Sequence, residues 1–257
     1  MNQVIKGDCC EVMKTLEDNS IDLTVTSPPY DNLRTYNGYT FDFEGIAKEL
    51  FRVTKQGGVV VWVVGDATIK GSETCTSDRQ KLYFKDVCGF NVHDTMIYQK
   101  NSYPFPPSNR YFGVFEFMFV LSKGIPKTHN LMRVPTIKQT KNNNSSASRQ
   151  TDGTLKKFQY ETGKNTRIKE NVWKYECGYN KSSLDNPEHP ATFPEKLAED
   201  HILSWSNEGD TVLDPMAGSG TTLKMAKKNN RNYIGIEISE EYCDIINKRL
   251  SSLDKLT

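Results

Sequence analysis

A chain of 257 residues with 36% apolar and 25% charged side chains has enough apolar material for one large α/β domain, or for a core domain carrying an insertion, and too much to stay disordered. Its longest purely apolar run, Val59 to Val64, is far too short to cross a bilayer, and the acids within the first dozen residues do not make a signal peptide, so a cytoplasmic protein with no membrane contact is expected. The six cysteines, at 9, 10, 75, 88, 177 and 243, form no C-x-x-C pair and have no histidine at finger-like spacing, which argues against both a disulfide framework and a metal site.

In chain order, residues 3–8 read as a strand and 9–17 as a helix with Val12, Met13 and Leu16 on its inner face. Residues 21–26, IDLTVT, read as a second strand that runs directly into Ser27, Pro28, Pro29 and Tyr30. Two prolines can neither extend a strand nor begin a well-formed helix, so the chain stops its sheet there. The following loop, 31–44, carries Tyr36, Tyr39 and Phe41 as core anchors or as a lid. Residues 44–56 look helical and close at Gly57-Gly58, after which VVVWVVGD is a central strand apolar on both faces. Residues 94–100 and 115–124 read as further strands.

The net charge of +1 hides an uneven distribution. Between Lys123 and Lys181 there are 13 Lys and Arg against 4 Asp and Glu, so this segment is near +9 and the remainder near −8. It also contains the polar run Lys138 to Thr154, which reads as a flexible loop. Such a region is suited to a polyanion.

Beyond it the α/β rhythm returns. A helix starts near Pro194, residues 210–215 form a short buried strand, and a helix-like segment runs from 223 to 229. Another strand covers 232–238, and a helix opens at Ser239 with Glu240 and Glu241 favourably placed in its first turn. Strands alternating with helices predict a Rossmann-like, doubly wound, mainly parallel sheet. In such a sheet ligands sit at the carboxyl ends of strands. The segment Asp214, Pro215, Met216, Ala217, Gly218, Ser219, Gly220, Thr221, Thr222 lies there, with two glycines to admit a close ligand and Asp214 at the strand tip to accept from a ligand amine or a bridging water. Glu237, followed by Ile238, ends the next strand, where a carboxylate can bind the two hydroxyls of an adenosine ribose. No Lys follows Gly220, which excludes a Walker loop, and the third glycine of the dinucleotide fingerprint is missing, which weighs against NAD.

Together, TSPPY at 26–30 and DPMAGSGTT at 214–222 resemble the amino-group DNA methyltransferases that use S-adenosylmethionine. The catalytic motif precedes the cofactor loop with the basic region between them, which is similar to the circularly permuted β group. The resemblance implies a methyltransferase domain formed by 1–122 and 186–257, with a target-recognition insertion at 123–185. In the sheet, the two C-terminal strands would be first and second and the two N-terminal ones third and fourth. It further implies that Asp8 contacts the cofactor adenine and that Thr192 and Phe193 meet its methionine moiety. Arg110 would contact phosphate or base, and Lys141, Arg149, Lys156, Lys157, Lys164, Arg167 and Lys169 would neutralise phosphates of double-stranded DNA.

The chemistry fits the motif. The exocyclic amine of cytosine or adenine is a poor nucleophile because its lone pair is delocalised, and acceptors such as Ser27 Oγ and the Pro28 carbonyl would take its hydrogens beside the sulfonium methyl. Tyr30 would stack on the flipped base. The family uses Ser at the first motif position mostly for cytosine N4 and Asp or Asn mostly for adenine N6, so Ser27 favours cytosine, with adenine the alternative. An NAD oxidoreductase and a silent DNA-binding module are the readings from other classes. A homodimer and a separate restriction endonuclease partner stay open.

Overall fold

β-Branched runs decide the centre of the molecule. A computed structural model describes residues 2–29, 41–101, 109–136, 145–159, 165–176 and 194–254, with backbone alone at 145, 146, 158 and 159. In chain order the elements are β1 (Asn2–Lys6), α1 (Cys9–Met13), β2 (Ile21–Thr26), α2 (Phe43–Val53), β3 (Thr54–Val64), β4 (Thr68–Ile69), β5 (Ser72–Glu73), α3 (Thr76–Asp86), β6 (Asn91–Lys100) and β7 (Phe115–Ser122). There follow β8 (Arg133–Pro135), β9 (Ser145–Arg149), β10 (Leu155–Gln159), β11 (Thr166–Ile168), β12 (Val172–Tyr175), α4 (Glu195–Trp205), β13 (Thr211–Asp214), α5 (Thr221–Lys228), β14 (Asn232–Glu237) and α6 (Glu240–Leu253).

Eight strands form one sheet in the order β1-β14-β13-β2-β3-β7-β6-β12. All are parallel except β7, which is antiparallel to both its neighbours. This is the expected doubly wound sheet, with the C-terminal strands β13 and β14 seated between β1 and β2. In β3, Val60, Trp62 and Val64 join Met13, Ile46, Leu50 and Phe84 in a cluster under α1, α2 and α3. Strand alternation sends Val59, Val61 and Val63 to the opposite face, and these too are at most 1% exposed. That second face is covered by α4, α5 and α6, and α5 comes so close that a Cβ on Gly235 would lie 2.2 Å from Leu223 Cδ1.

Several boundaries depart from the sequence reading. The helix ends at Val53 rather than 56, because Thr54 turns extended and its Oγ1 donates to the Leu50 carbonyl, so the strand starts ahead of Gly57-Gly58 and absorbs both in an irregular register against β2. Helix α3 is polar enough to have no visible apolar stripe, yet it buries Phe84 and Gln80, whose Oε1 accepts from Trp62 Nε1 at 2.8 Å. The insertion is also narrower than 123–185. Lys123 Nζ donates to the Phe51 carbonyl and Asn19 Oδ1, Asn130 Nδ2 donates to the carbonyls of Leu203 and Ser206, and Val172–Tyr175 pairs with β6. These contacts hold both flanks in the main unit, and the separate compact unit is Leu131–Glu170. By itself that unit consists of two antiparallel ribbons, β8 with β11 and β9 with β10. The run 138–154, expected to be a flexible loop, therefore contains a paired strand and the turn that leads into β10. Residues 177–185 lie outside the described residues.

Phe84 is fully buried and stands edge-on to Trp62, Phe43 and Phe90 at centroid distances of 5.1–5.8 Å. Phe84→Ala is expected to cost about 3–5 kcal/mol of unfolding free energy in urea titration. A loss below about 1 kcal/mol would mean that the α1–α3 face repacks freely.

Candidate active site

The chain leaves β13 through α5 toward β14 and leaves β2 through α2 toward β3, in opposite directions along the sheet. The crevice between the carboxyl ends of β13 and β2 is therefore the topological switch point. Both sequence motifs open onto it, residues 27–29 from β2 and 215–220 from β13.

The loop after β13 is held by short backbone bonds, Ala217 N to the Ile236 carbonyl and Gly220 N to the Ala217 carbonyl. Gly218 and Gly220 adopt φ of 53° and 80°, and a Cβ on Gly220 would meet Ile246 Cγ1 at 2.9 Å, so the turn needs glycine there on both counts. Pro215, Ala217, Ser219, Thr221 and Thr222 are buried, whereas Met216 and Gly218 are partly open.

Asp214 is 2% exposed and faces inward. Its Oδ1 accepts from Thr26 Oγ1 at 2.8 Å and from Met216 N at 3.2 Å, and Thr222 lies against the carboxyl while its own Oγ1 donates to the Val25 carbonyl. Through Oδ1 the carboxyl ties the loop after β13 to the residue just ahead of Ser27. Burial pushes this carboxyl up to about 6, against the pull of the Thr26 and Met216 donors.

Glu237 is its counterpart at the rim. Its Oε2 accepts from Gly218 N at 2.8 Å and its Oε1 from Ser239 N at 2.9 Å, and burial raises its pKa. A carboxylate so desolvated still has lone pairs for a hydroxyl donor, so it fits the ribose of an adenosine cofactor. Ile238, next to it, is half-buried. Asp8, at the end of β1, caps α1 through Oδ1, which accepts from Cys10 N and Glu11 N, and the residue is exposed at the same edge of the sheet.

A network with no counterpart in the sequence motifs holds the other side of the loop. Arg249 of α6, 7% exposed, donates through one nitrogen to the Ser219 carbonyl at 2.6 Å and to Ser219 Oγ at 3.1 Å, and through the other to Glu195 Oε1 at 2.8 Å. Lys224 Nζ reaches the same Glu195 oxygen at 2.9 Å. Glu195 is the first residue of α4, directly after the Pro194 N-cap. The guanidinium therefore clamps the glycine loop to the start of α4. Its only sequence signal is a basic residue one turn from the end of a C-terminal helix.

In the catalytic motif Ser27 and Pro29 are half-buried and Pro28 is buried. Pro29 borders a cavity of about 620 Å³ also lined by Phe41, Phe43, Arg79, Gln80 and Tyr83. Tyr30, Tyr36, Tyr39, Thr192, Phe193, Lys141 and Lys164 fall outside the described residues, and Phe41 packs against the α1–α3 core. Arg110 donates to Thr68 Oγ1 and the Gly71 carbonyl, which fastens it to the β4–β5 hairpin. In the small unit Arg149, Lys156 and Lys157 stand on the β9–β10 ribbon, Arg167 pairs with Glu170, and Lys169 N bonds to the Met132 carbonyl. Burial raises the thiols of Cys9, to about 12, and of Cys10, Cys88 and Cys243, so these stay protonated. Among the described residues no cluster of His, Cys, Asp and Glu is arranged to hold a metal, and no helix is long and apolar enough to cross a membrane.

A family model described as DNA methylase, for the N6 and N4 methyltransferases, matches residues 21–248. The chain belongs to the N6/N4 DNA methylase family. An orphan methyltransferase of Bacillus amyloliquefaciens, M.BamHII, is 57% identical over 249 residues, covering 93% of this chain and 92% of that protein. The type II methyltransferase M.HpaI of Haemophilus parainfluenzae is 30% identical, covering 97% and 74%. Among solved structures, the PvuII cytosine-N4-specific DNA methyltransferase superposes with a TM-score of 0.70 at 21% identity, covering 96% and 86% of the two chains. A DNA modification methylase of Thermus thermophilus, solved with S-adenosyl-L-methionine, gives 0.64 at 24%, covering 98% and 95%. These two share the fold. The methylase is an enzyme that acts on DNA, and S-adenosylmethionine is its methyl donor, as the two signatures imply.

Because the folded Asp214 carboxyl titrates above its unfolded value, the native methylase holds that proton more tightly, and stability falls as pH rises from about 4 through 6. The unfolding free energy of Asp214→Asn relative to wild type is expected to improve by on the order of 3 kcal/mol between pH 4 and 7.5. A difference independent of pH would refute the assignment. Arg249→Ala is expected to raise the KM for S-adenosylmethionine about tenfold with a smaller change in kcat, Arg249→Lys recovering part of it by supplying one donor to Ser219. Equal loss in both parameters with a lowered Tm would instead mean that Arg249 only holds α6 in place.

Proposed function

We propose that this methylase transfers the methyl group of S-adenosylmethionine to the exocyclic N4 amine of a cytosine flipped out of double-stranded DNA. The observation that carries the choice of base is Ser27 in the first position of the catalytic motif, where relatives that modify adenine mostly carry Asp or Asn. A hydroxyl accepts one amine hydrogen without bringing a full negative charge to the reacting nitrogen. The Pro28 carbonyl, directed by the rigid Pro28-Pro29 pair, accepts the other. With both hydrogens held, the nitrogen becomes more tetrahedral and its lone pair turns toward the sulfonium carbon. Tyr30 offers an aromatic face worth about 1–3 kcal/mol to the unstacked base.

The cofactor half of the reading rests on Glu237 for the ribose hydroxyls, Asp8 for the adenine, the Gly218 to Gly220 turn for close backbone approach, and Thr192 with Phe193 ahead of α4 for the methionine end. The Thr26–Asp214 bond supports it, because one contact sets the spacing between the acceptors at 27–28 and the cofactor loop. The cavity beside Pro29 has the size to admit a base. The name orphan methyltransferase borne by the Bacillus relative favours action without a paired endonuclease.

Incubation of the methylase with unmethylated genomic DNA and S-adenosylmethionine, followed by mass spectrometry of the nucleosides, is expected to give 4-methylcytosine. A peak of 6-methyladenine alone would overturn the choice of base. Ser27→Ala should lower turnover at least a hundredfold while leaving cofactor affinity within about twofold; a parallel loss of cofactor affinity would contradict the role given to Ser27.

A further inference from the structure

The short hairpin of β4 and β5 stands beside the catalytic motif. Thr26, the last residue of β2, is paired with Trp62 of β3, so the motif at 27–29 and the hairpin at 68–73 leave neighbouring strands at the same edge of the sheet, about 4.8 Å apart at their roots. Every residue from Thr68 to Glu73 is exposed, and Ile69 keeps 51% of its surface in water. The segment that reaches the hairpin from the β7 side is exposed as well, Tyr111 at 98% and Phe112 at 45%. This edge therefore presents apolar side chains that the core does not use.

An element that adds so little to the core is nonetheless tied down at root and tip. At the root, Thr74 N donates to the Ala67 carbonyl at 2.9 Å and Ala67 N donates to Thr74 Oγ1 at 3.2 Å. Asp66 accepts from Ser77 N and Ser77 Oγ, and Arg79 donates to the Thr74 carbonyl, which fixes the root to the first turn of α3. At the tip, Lys70 and Gly71 take φ of 49° and 82°, a two-residue turn with both φ positive that suits a tight hairpin. Arg110 then donates through one nitrogen to Thr68 Oγ1 at 3.0 Å and through the other to the Gly71 carbonyl at 2.9 Å. Thr68 pairs with Glu73 and Ile69 with Ser72, so the Ile69 side chain lies on the face opposite the Thr68 hydroxyl that Arg110 holds. The guanidinium braces the hairpin from behind, and Ile69 is carried on the other face. A turn fixed before binding loses little conformational freedom when it docks.

We infer that Ile69, carried by the braced β4–β5 hairpin, wedges into the base stack of duplex DNA and fills the space that the flipped base leaves, with Lys70 at the turn against a flanking phosphate. A base turned out of a duplex breaks its stacking on both sides, and an apolar side chain pushed between the steps offsets part of that cost. Isoleucine has no donor or acceptor, so it excludes water from the gap without selecting the base left behind on the other strand. The hairpin rises next to Ser27 and Pro28, where the flipped base must arrive, so one docking event serves both. The inference rests on the flipped-base reading under the proposed function and deepens it by naming the element that holds the duplex open.

The test uses the full-length methylase and synthetic duplexes that carry the site mapped in genomic DNA it has modified. Ile69→Ala is expected to slow single-turnover methylation of the fully paired duplex about 10- to 100-fold, and to come within about threefold of wild type when the target base lies opposite an abasic position, where no pairing has to be broken. Affinity for S-adenosylmethionine should not change, and Ile69→Leu should keep most of the rate. An equal loss on both duplexes, or no loss on either, overturns the inference, as does a duplex-dependent loss in Tyr111→Ala in place of Ile69→Ala. With 2-aminopurine as the target base, fluorescence is expected to rise when the wild type binds and much less with Ile69→Ala. An equal rise in both would refute the wedge and leave flipping intact, whereas no rise even in the wild type would remove the flipped-base reading and the wedge with it.

Discussion

The carboxylate of Asp214, buried at the junction of β13 and β2, is the constraint on which the site depends. Burying a carboxyl costs free energy, and here it is offset only in part by donors from Thr26 Oγ1 and Met216 N. An apolar residue would pack there more cheaply but could not bond to both strands. Through Oδ1 alone the carboxylate fixes the turn after β13 and the last residue of β2, so the ends of the two central strands cannot slide apart. Any ligand in the crevice between them meets surfaces whose separation is already set. For transfer between two bound molecules, that spacing is the quantity that matters.

Around this point the cofactor loop is shaped by polar contacts as much as by packing. Glu237 holds Gly218 from one side, and Arg249 holds Ser219 from the other. The guanidinium also binds Glu195 at the start of α4, and Lys224 of α5 shares that carboxylate. Three helices thus bear on one short turn. The left-handed φ values of Gly218 and Gly220 are tolerated because the turn is held on every side, and Ile246 leaves no room for a side chain at Gly220.

The strands with the strongest β-branched runs were legible directly. β2 spans Ile21–Thr26 as the alternation predicts, and β13 and β14 fall within a residue or two of their expected ends. Legibility failed where tertiary contact outweighed local pattern. Helix α3 has few apolar residues because only Phe84 and its near neighbours face inward, and β12 is a short strand whose fate is decided by pairing with β6 and by Trp173 stacking on His201 at 4.7 Å. Asp214 and Glu237 both read as ligand-facing acids at strand tips. Nothing in the sequence said that one would turn inward to Thr26 and the other stay at the rim. Arg249 was invisible for a related reason, since its partners lie 30 and 54 residues away along the chain.

Strand order has a consequence for how the molecule comes into being. β1 and β2 follow one another in the chain, yet two strands from the far end, β13 and β14, fill the space between them. A ribosome releases the flanking strands long before the pair that joins them. Until residues 211–237 emerge, β1 lacks its partner β14 and β2 lacks one of its two, so the amino-terminal half carries an open edge through most of synthesis. Such long-range pairing makes assembly slow. Until those two strands are made, the nascent methylase has neither the glycine turn at 218–220 nor the Glu237 carboxylate that holds it.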